Sequence, residues 1–157
     1  MAPRVPDGLV EFIESGVSIL LGTRDDDLVP EAMRACGAVV DQTRTRLTVY
    51  AHTRVAERTL ANLRANRQMA VTFSRAIDHH TVQLKGECVE MREADARDDA
   101  IVDAYKSRFV EQLYIVGMPR SITSRFCVRP AWALTLAIAD IFVQTPGPGA
   151  GARMEVR

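Results

Sequence analysis

Arg54, Arg58 and Arg64 fall within a dozen residues of one another in the stretch VYAHTRVAERTLANLRAN, Val49 to Asn66. The stretch opens with strand formers and closes with helix formers, so His52, Thr53 and Arg54 stand where one element hands over to the next. The first turn of a helix offers unpaired N–H groups and a partial positive charge. Thr53 adds a hydroxyl. Arg54 and Arg58 add guanidinium forks that match phosphate or carboxylate geometry. The spacing therefore reads as an anion site at a strand–helix junction. The same spacing also suits a solvated helix face. Only Lys85 and Lys106 of the 20 basic residues are lysine, and codon bias in a GC-rich genome explains much of that excess.

The remaining chemistry-bearing residues are scattered. Cys36, Cys88 and Cys127 form no CxxC pair and no Cys/His cluster, which argues against a structural zinc site. Cys36 reads as a small buried residue. His79 and His80 are adjacent and read as turn residues, and Trp132 reads as core or dimer packing. No Ser/His/Asp or Cys/His nucleophile set is identifiable, nor are paired carboxylates at a useful spacing. The formal net charge is +0, which argues against nucleic acid or an anionic membrane as the main partner. No apolar run is long enough to cross a bilayer. The opening MAPRVPDG lacks the hydrophobic stretch of a secretion signal. With an odd number of cysteines, these features lead to the expectation of a reduced, cytoplasmic protein.

The elements that must hold the arginine junction are legible in outline. At 157 residues and 47% hydrophobic content, one domain with its own core is expected over residues 1–157, with irregular tails at 1–8 and 145–157. Asp7 is expected to cap a short helix that Gly16 stops. Val17 to Arg24 reads as a buried strand, and Val29 to Val40 as extended with a bend or bulge at Gly37. Leu47 to Ala51 is a strand. In the helix that follows, Ala56, Leu60 and Leu63 share the apolar face, and Arg54, Arg58 and Asn62 share another. Gln68 to Arg75 and Thr81 to Met91 are strands, the second bent near Gly86. Ala94 to Leu113 is the longest helix, with Ile101, Ala104, Tyr105 and Phe109 toward the core. Gly117 and Pro119 end it. A last extended stretch runs from Phe126 to Val143, interrupted near Pro130. Many strands with one long crossover give a mainly β fold with flanking helices. The sheet is expected to be antiparallel, closing into a barrel to hide its edges.

The order of these elements, VYAHTRVAERTLANLRANRQMAVTF and the later TVQLKGE together resemble the FMN-binding split β-barrel of the pyridoxamine 5′-phosphate oxidase-like superfamily. The resemblance covers about Val10 to Val143. It implies a single split-barrel domain that binds FMN between the subunits of a homodimer. His52 and Thr53 match the pair that lies along the flavin and its ribityl chain. Arg58 matches the residue that holds the FMN phosphate. Thr59 replaces the lysine usual at its place, with Arg54 as the compensating cation. Arg34 falls near a strand position that contacts flavin or phosphate, and Thr81 where the next strand reaches the ring or ribityl region. The oxidases of this group resemble one another in Tyr-x-x-x-Arg-x-x-x-Ser on the long helix. Here Tyr105 is followed by Phe109 and Leu113, and Arg108 is one residue out of register, about 100° around the helix. An Arg-x-His element after Trp132 is absent from the sequence. The cofactor half of the pattern is present and the substrate half is not.

The resemblance therefore implies an FMN-dependent oxidoreductase acting on an unidentified small molecule, with no side chain singled out for acid–base chemistry. The rival from another class is a non-catalytic protein on the same barrel that stores or senses flavin or haem, with His52, His79 or His80 as haem ligand. A deazaflavin is a third possible cofactor, because it presents a phosphate near the same helix. An empty packing module is the fourth reading.

Overall fold

The computed structural model describes residues 3–155. In chain order it contains α1 (Asp7–Ile13), β1 (Ser18–Arg24), β2 (Pro30–Arg34), β3 (Ala38–Val40) and β4 (Arg46–His52). A 3₁₀ turn (Thr53–Val55) leads into α2 (Glu57–Asn66), β5 (Gln68–Ser74) and β6 (Thr81–Glu93). Then follow α3 (Ala96–Ile115), α4 (Arg120–Thr123) and β7 (Ala131–Val143). The strands form one antiparallel sheet in the order β2-β1-β5-β6-β7-β4-β3.

The hydrogen-bond ladder does not close, contrary to the expectation of a sealed barrel; β2 and β3 are its two edges. Yet these edges are consecutive in the chain. Between them the Ala35 N–H donates to Ile19 O of β1 at 3.0 Å, and the Cys36 N–H donates to Tyr50 O of β4 at 2.8 Å. The sheet curls until a single bend bridges its split. Gly37 makes that bend possible at φ +152°, where an added Cβ would come within 3.1 Å of the Tyr50 ring. The split barrel is therefore held at its seam by covalent continuity rather than by a strand pair.

β1 shows why the sheet has a core face. Ile19, Leu21 and Thr23 are buried, while Ser18, Leu20 and Gly22 alternate outward, as a period of two requires. Residues from α1, α2, α3 and all seven strands meet in one main cluster. Gly86 sits at a register shift between β6 and β7, the bend expected from its position. β7 pairs with β4 only over Ala131–Ala137. Farther along, its free side takes up the C-terminal segment: Met154 N–H donates to Ile141 O, Val143 N–H to Ala152 O, and Phe142 bridges Arg153. The segment 145–155 is thus irregular but bound to the sheet.

α3 is anchored at its start. Asp95 and Asp98 form a reciprocal capping box, a strong helix start. Asp98 also accepts from Tyr50 Oη at 2.8 Å and from both terminal nitrogens of Arg92. Downstream, Tyr105 Oη donates to Val17 O and Arg108 Nη1 to Glu14 O. Gly16 lies so close that an added Cβ would meet Arg108 Cβ at 2.3 Å. Ile101 and Ala104 are half-buried, whereas Tyr105 and Phe109 are buried as expected.

Two local expectations need correction. Pro6, not Asp7, is the residue flanking α1; Asp7 and Gly8 lie inside its first turn, and Asp7 pairs with Arg44. Asn62 does not share a solvated face with the arginines. It is buried and donates from Nδ2 to Thr23 Oγ1 at 3.0 Å, because β1 offers a polar partner beneath α2. α4 was not foreseen at all, because its four residues carry no strong periodicity.

Candidate functional site

β4 ends at His52, and His52 itself caps the turn that follows. Its Nδ1 accepts the Arg54 N–H at 3.2 Å. That fixes the proton of a neutral ring on Nε2, which lies 3.1 Å from Arg129 O and 3.3 Å from Cys127 Sγ. The 3₁₀ turn rotates Arg54 away from the α2 face that carries Arg58, so the expected i, i+4 pair does not form. Arg54 turns instead toward a cleft of about 420 Å³.

The cleft lies between the seam, the 3₁₀ turn, α3 and the segment before β7. Its floor includes Ala35, Cys36 and Val128; burial pushes the Cys36 thiol up to about 12, so this sulfur is inert packing. Its wall is aromatic. Tyr105 and Phe109 stack at 5.5 Å with 12° between planes, and Phe109 and Phe126 at 6.1 Å with 29°. Arg34 lies over Phe109, 5.3 Å from its centroid, a cation–π distance. Arg54 and Lys106 complete the charge. The lining holds three cations and no carboxylate.

The other side of the turn is different. Arg58 Nε lies 3.2 Å from Glu31 Oε2 of β2. Thr59 is wholly buried, with Oγ1 lacking a hydrogen-bond partner. Ala56 flanks α2 without a side-chain cap, leaving first-turn N–H groups available to a ligand. The structure thus brings Arg34, His52 and Arg54 together at the cleft and puts Thr53, Arg58, Thr59 and Thr81 outside its lining.

Thr81 connects to the cleft by another route. Arg34 Nη1 donates to Ser18 Oγ at 3.0 Å, Ser18 is in register with Ser74, and Ser74 Oγ lies 2.8 Å from Thr81 Oγ1. A row of hydroxyls therefore runs across the outer face from Arg34 to Thr81. Beside it lie Leu20, 46% exposed, and Gly22 and Ala70 in register.

Sequence reasoning missed Lys106, Phe126, Cys127 and Val128 as cleft residues. Phe109 was read only as core. The lysine carried a signal, being one of only two in the chain. The other three follow α4 in a segment without periodicity, where nothing local announces a wall.

The strand order and the bridged seam define an open antiparallel split-barrel domain with a cationic aromatic cleft at its seam. The chain matches the family model described as Pyridoxamine 5'-phosphate oxidase over residues 5–136, most of its length, and belongs to that family. Among curated proteins none matches it. Its fold is shared with HupZ of Group A Streptococcus, at TM-score 0.59 and 15% identity, covering 95% of this chain and 99% of that one. It is shared with an F420 reductase, at TM-score 0.56 and 14% identity, covering 87% and 98%. An FMN-binding protein from Syntrophomonas wolfei subsp. wolfei has TM-score 0.51 and 14% identity, covering 85% and 81%. Among the described residues no group of three or more His, Cys, Asp or Glu side chains could hold a metal. No helix there is long and apolar enough to cross a membrane.

Proposed function

We propose that this chain is the subunit of a cytoplasmic, homodimeric flavin-dependent oxidoreductase that binds FMN and acts on a small molecule. The observation that carries the reading is the hydroxyl row from Arg34 to Thr81, which ends at a cleft holding two further unpaired cations. This donor set fits a phosphorylated ring system: hydroxyls and a guanidinium for the ribityl and ring edge, Arg54 and the start of α2 for the phosphate. A flavin bound there supplies the hydride or electron transfer. The chain's part is to orient it, to neutralise its phosphate and to keep one ring face open to substrate. Thr53 lies next to His52 at the strand end, where it can donate to the ribityl chain. Arg58 reaches the phosphate only by leaving Glu31, and Thr59 supports the α2 contact from below. The small outer-face residues around Leu20 and Gly22 suit a second copy laid flat against them, which would close the flavin site.

The likeness to an F420 reductase extends the reading to a deazaflavin, whose phosphate needs the same cations. Haem is favoured less. Both ring nitrogens of His52 already have partners, and His80 Nδ1 lies 3.2 Å from Thr145 Oγ1.

The test is a titration of the purified protein with FMN, read by visible absorbance after removal of excess, with sedimentation to give the mass. Retained flavin at one per chain on a dimer supports the reading. A colourless protein that also fails to retain a deazaflavin refutes it.

A further inference from the structure

The cleft and the flavin residues coincide only in part. Of the seven positions assigned to the cofactor, Thr53, Arg58, Thr59 and Thr81 do not line the cleft. Lys106, Phe109 and Phe126 line it and have no part in the cofactor assignment. None of Arg34, Arg54 and Lys106 has a carboxylate partner among the described residues. Most other arginines at this end of the molecule are engaged. Arg92 is held by Asp98, Arg120 by Glu111, and Arg129 by Asp99 and Asp103. The cleft therefore concentrates unneutralised positive charge in a chain whose formal net charge is +0.

Its shape selects further. Tyr105, Phe109 and Phe126 give the cleft an aromatic side, and Phe126 is still 38% exposed. Val55 of the 3₁₀ turn also lines the cleft and is exposed. A lining of aromatic rings and a valine suits an aromatic ring of the ligand. The volume of about 420 Å³ lies in the range of small-molecule sites, roughly 300–1,000 Å³. Two other polar side chains of α3 are already engaged: Tyr105 Oη donates to Val17 O and Arg108 Nη1 to Glu14 O.

We infer that the cleft is a binding site for a planar aromatic carboxylate, held by Lys106 at its charged end and by Phe109 and Phe126 at its ring. A carboxylate here meets cations in a partly desolvated cleft, where a charge-assisted hydrogen bond is roughly twice as strong as a neutral one. Its role as substrate rests on the flavin reading; its binding does not.

The probe is naphthoate, with its neutral isostere naphthamide and the cation naphthylmethylamine as controls, measured by calorimetry on the full chain with and without FMN. Naphthoate is expected to bind at least about tenfold more tightly than naphthamide, with the amine weakest. The substitution K106Q should reduce that preference to about twofold or less. Lys106 is half-buried, and a thermal melt confirms that the variant folds. Binding undiminished by saturating FMN supports a site separate from the cofactor. Equal affinity for naphthoate and naphthamide, or no binding by either, overturns the inference. Displacement of naphthoate by FMN also overturns it, and leaves the flavin reading standing. Naphthoate binding in a protein that takes up no flavin keeps the site and removes the flavin reading.

Discussion

Arg54 and Arg58 are four residues apart and meet opposite fates. Arg54 faces a cleft with no carboxylate in its lining; Arg58 lies against Glu31 across the α2–β2 contact. The cause is the 3₁₀ turn that His52 caps, which takes Arg54 out of the helical register. An arginine without an anion keeps its full attraction for a ligand. One that is already paired must give up that contact first, so its net gain is smaller. The two sides of the turn thus divide between a side with an unneutralised cation and a side that ties the fold together.

The largest expected effect breaks the cleft side itself. Phe109→Ala removes the middle ring of the wall and a buried part of the main core. Urea unfolding should show a loss of about 3 kcal/mol, as for other buried Phe→Ala changes. A loss below about 1 kcal/mol would mean the wall is not packed as described.

Next comes the anchor of α3, which carries that wall. Asp98→Asn removes the charge that Arg92 meets, and should cost about 2 kcal/mol at neutral pH. The hydrogen bonds from Arg92 hold the Asp98 carboxyl well below the usual carboxylate range, against the opposing effect of its burial. Its folded value is depressed, so its contribution is present above the unfolded value and lost as pH falls toward the folded one. The melting-temperature gap between wild type and Asp98→Asn should therefore narrow steadily on acidification below about pH 4. A gap that stays constant down to strong acid would count against the pair.

Smaller effects test the comparison directly. Arg54→Gln should weaken FMN by about 1.5 kcal/mol and Arg58→Gln by under about 1 kcal/mol, both read by flavin titration. Equal losses would erase the distinction. Glu31→Gln should move stability by no more than about 0.5 kcal/mol, the scale of an exposed pair. It should also free Arg58, so that Arg58→Gln made on that background costs as much as Arg54→Gln.

Much of this architecture is local and was therefore legible. Strand alternation, the Gly16 stop, the Gly37 break and the Gly86 bend each follow from a few neighbouring residues. The face shared by Ala56, Leu60 and Leu63 is buried as its spacing requires. The site was less legible because its pieces are distant in sequence. Nothing near Arg58 announces Glu31, and nothing near Arg54 announces Phe126. Asn62 looked solvated until Thr23 supplied its partner. The 3₁₀ turn was hidden for another reason: a histidine ring, not a hydroxyl, caps it.

The pairing of β7 with two different partners has a consequence for solubility. Beyond Ala137, β4 no longer covers the strand, and Ile141, Phe142 and Val143 would offer bare N–H and C=O groups beside apolar side chains. Such a stretch invites another chain to add itself. The C-terminal segment takes that place first, with Gly151 N–H donating to Val143 O at 2.8 Å and Met154 N–H to Ile141 O at 2.8 Å. This glycine-rich stretch therefore acts as a guard against self-assembly, and a chain cut back to Gln144 should aggregate on standing while its spectroscopic strand content stays the same.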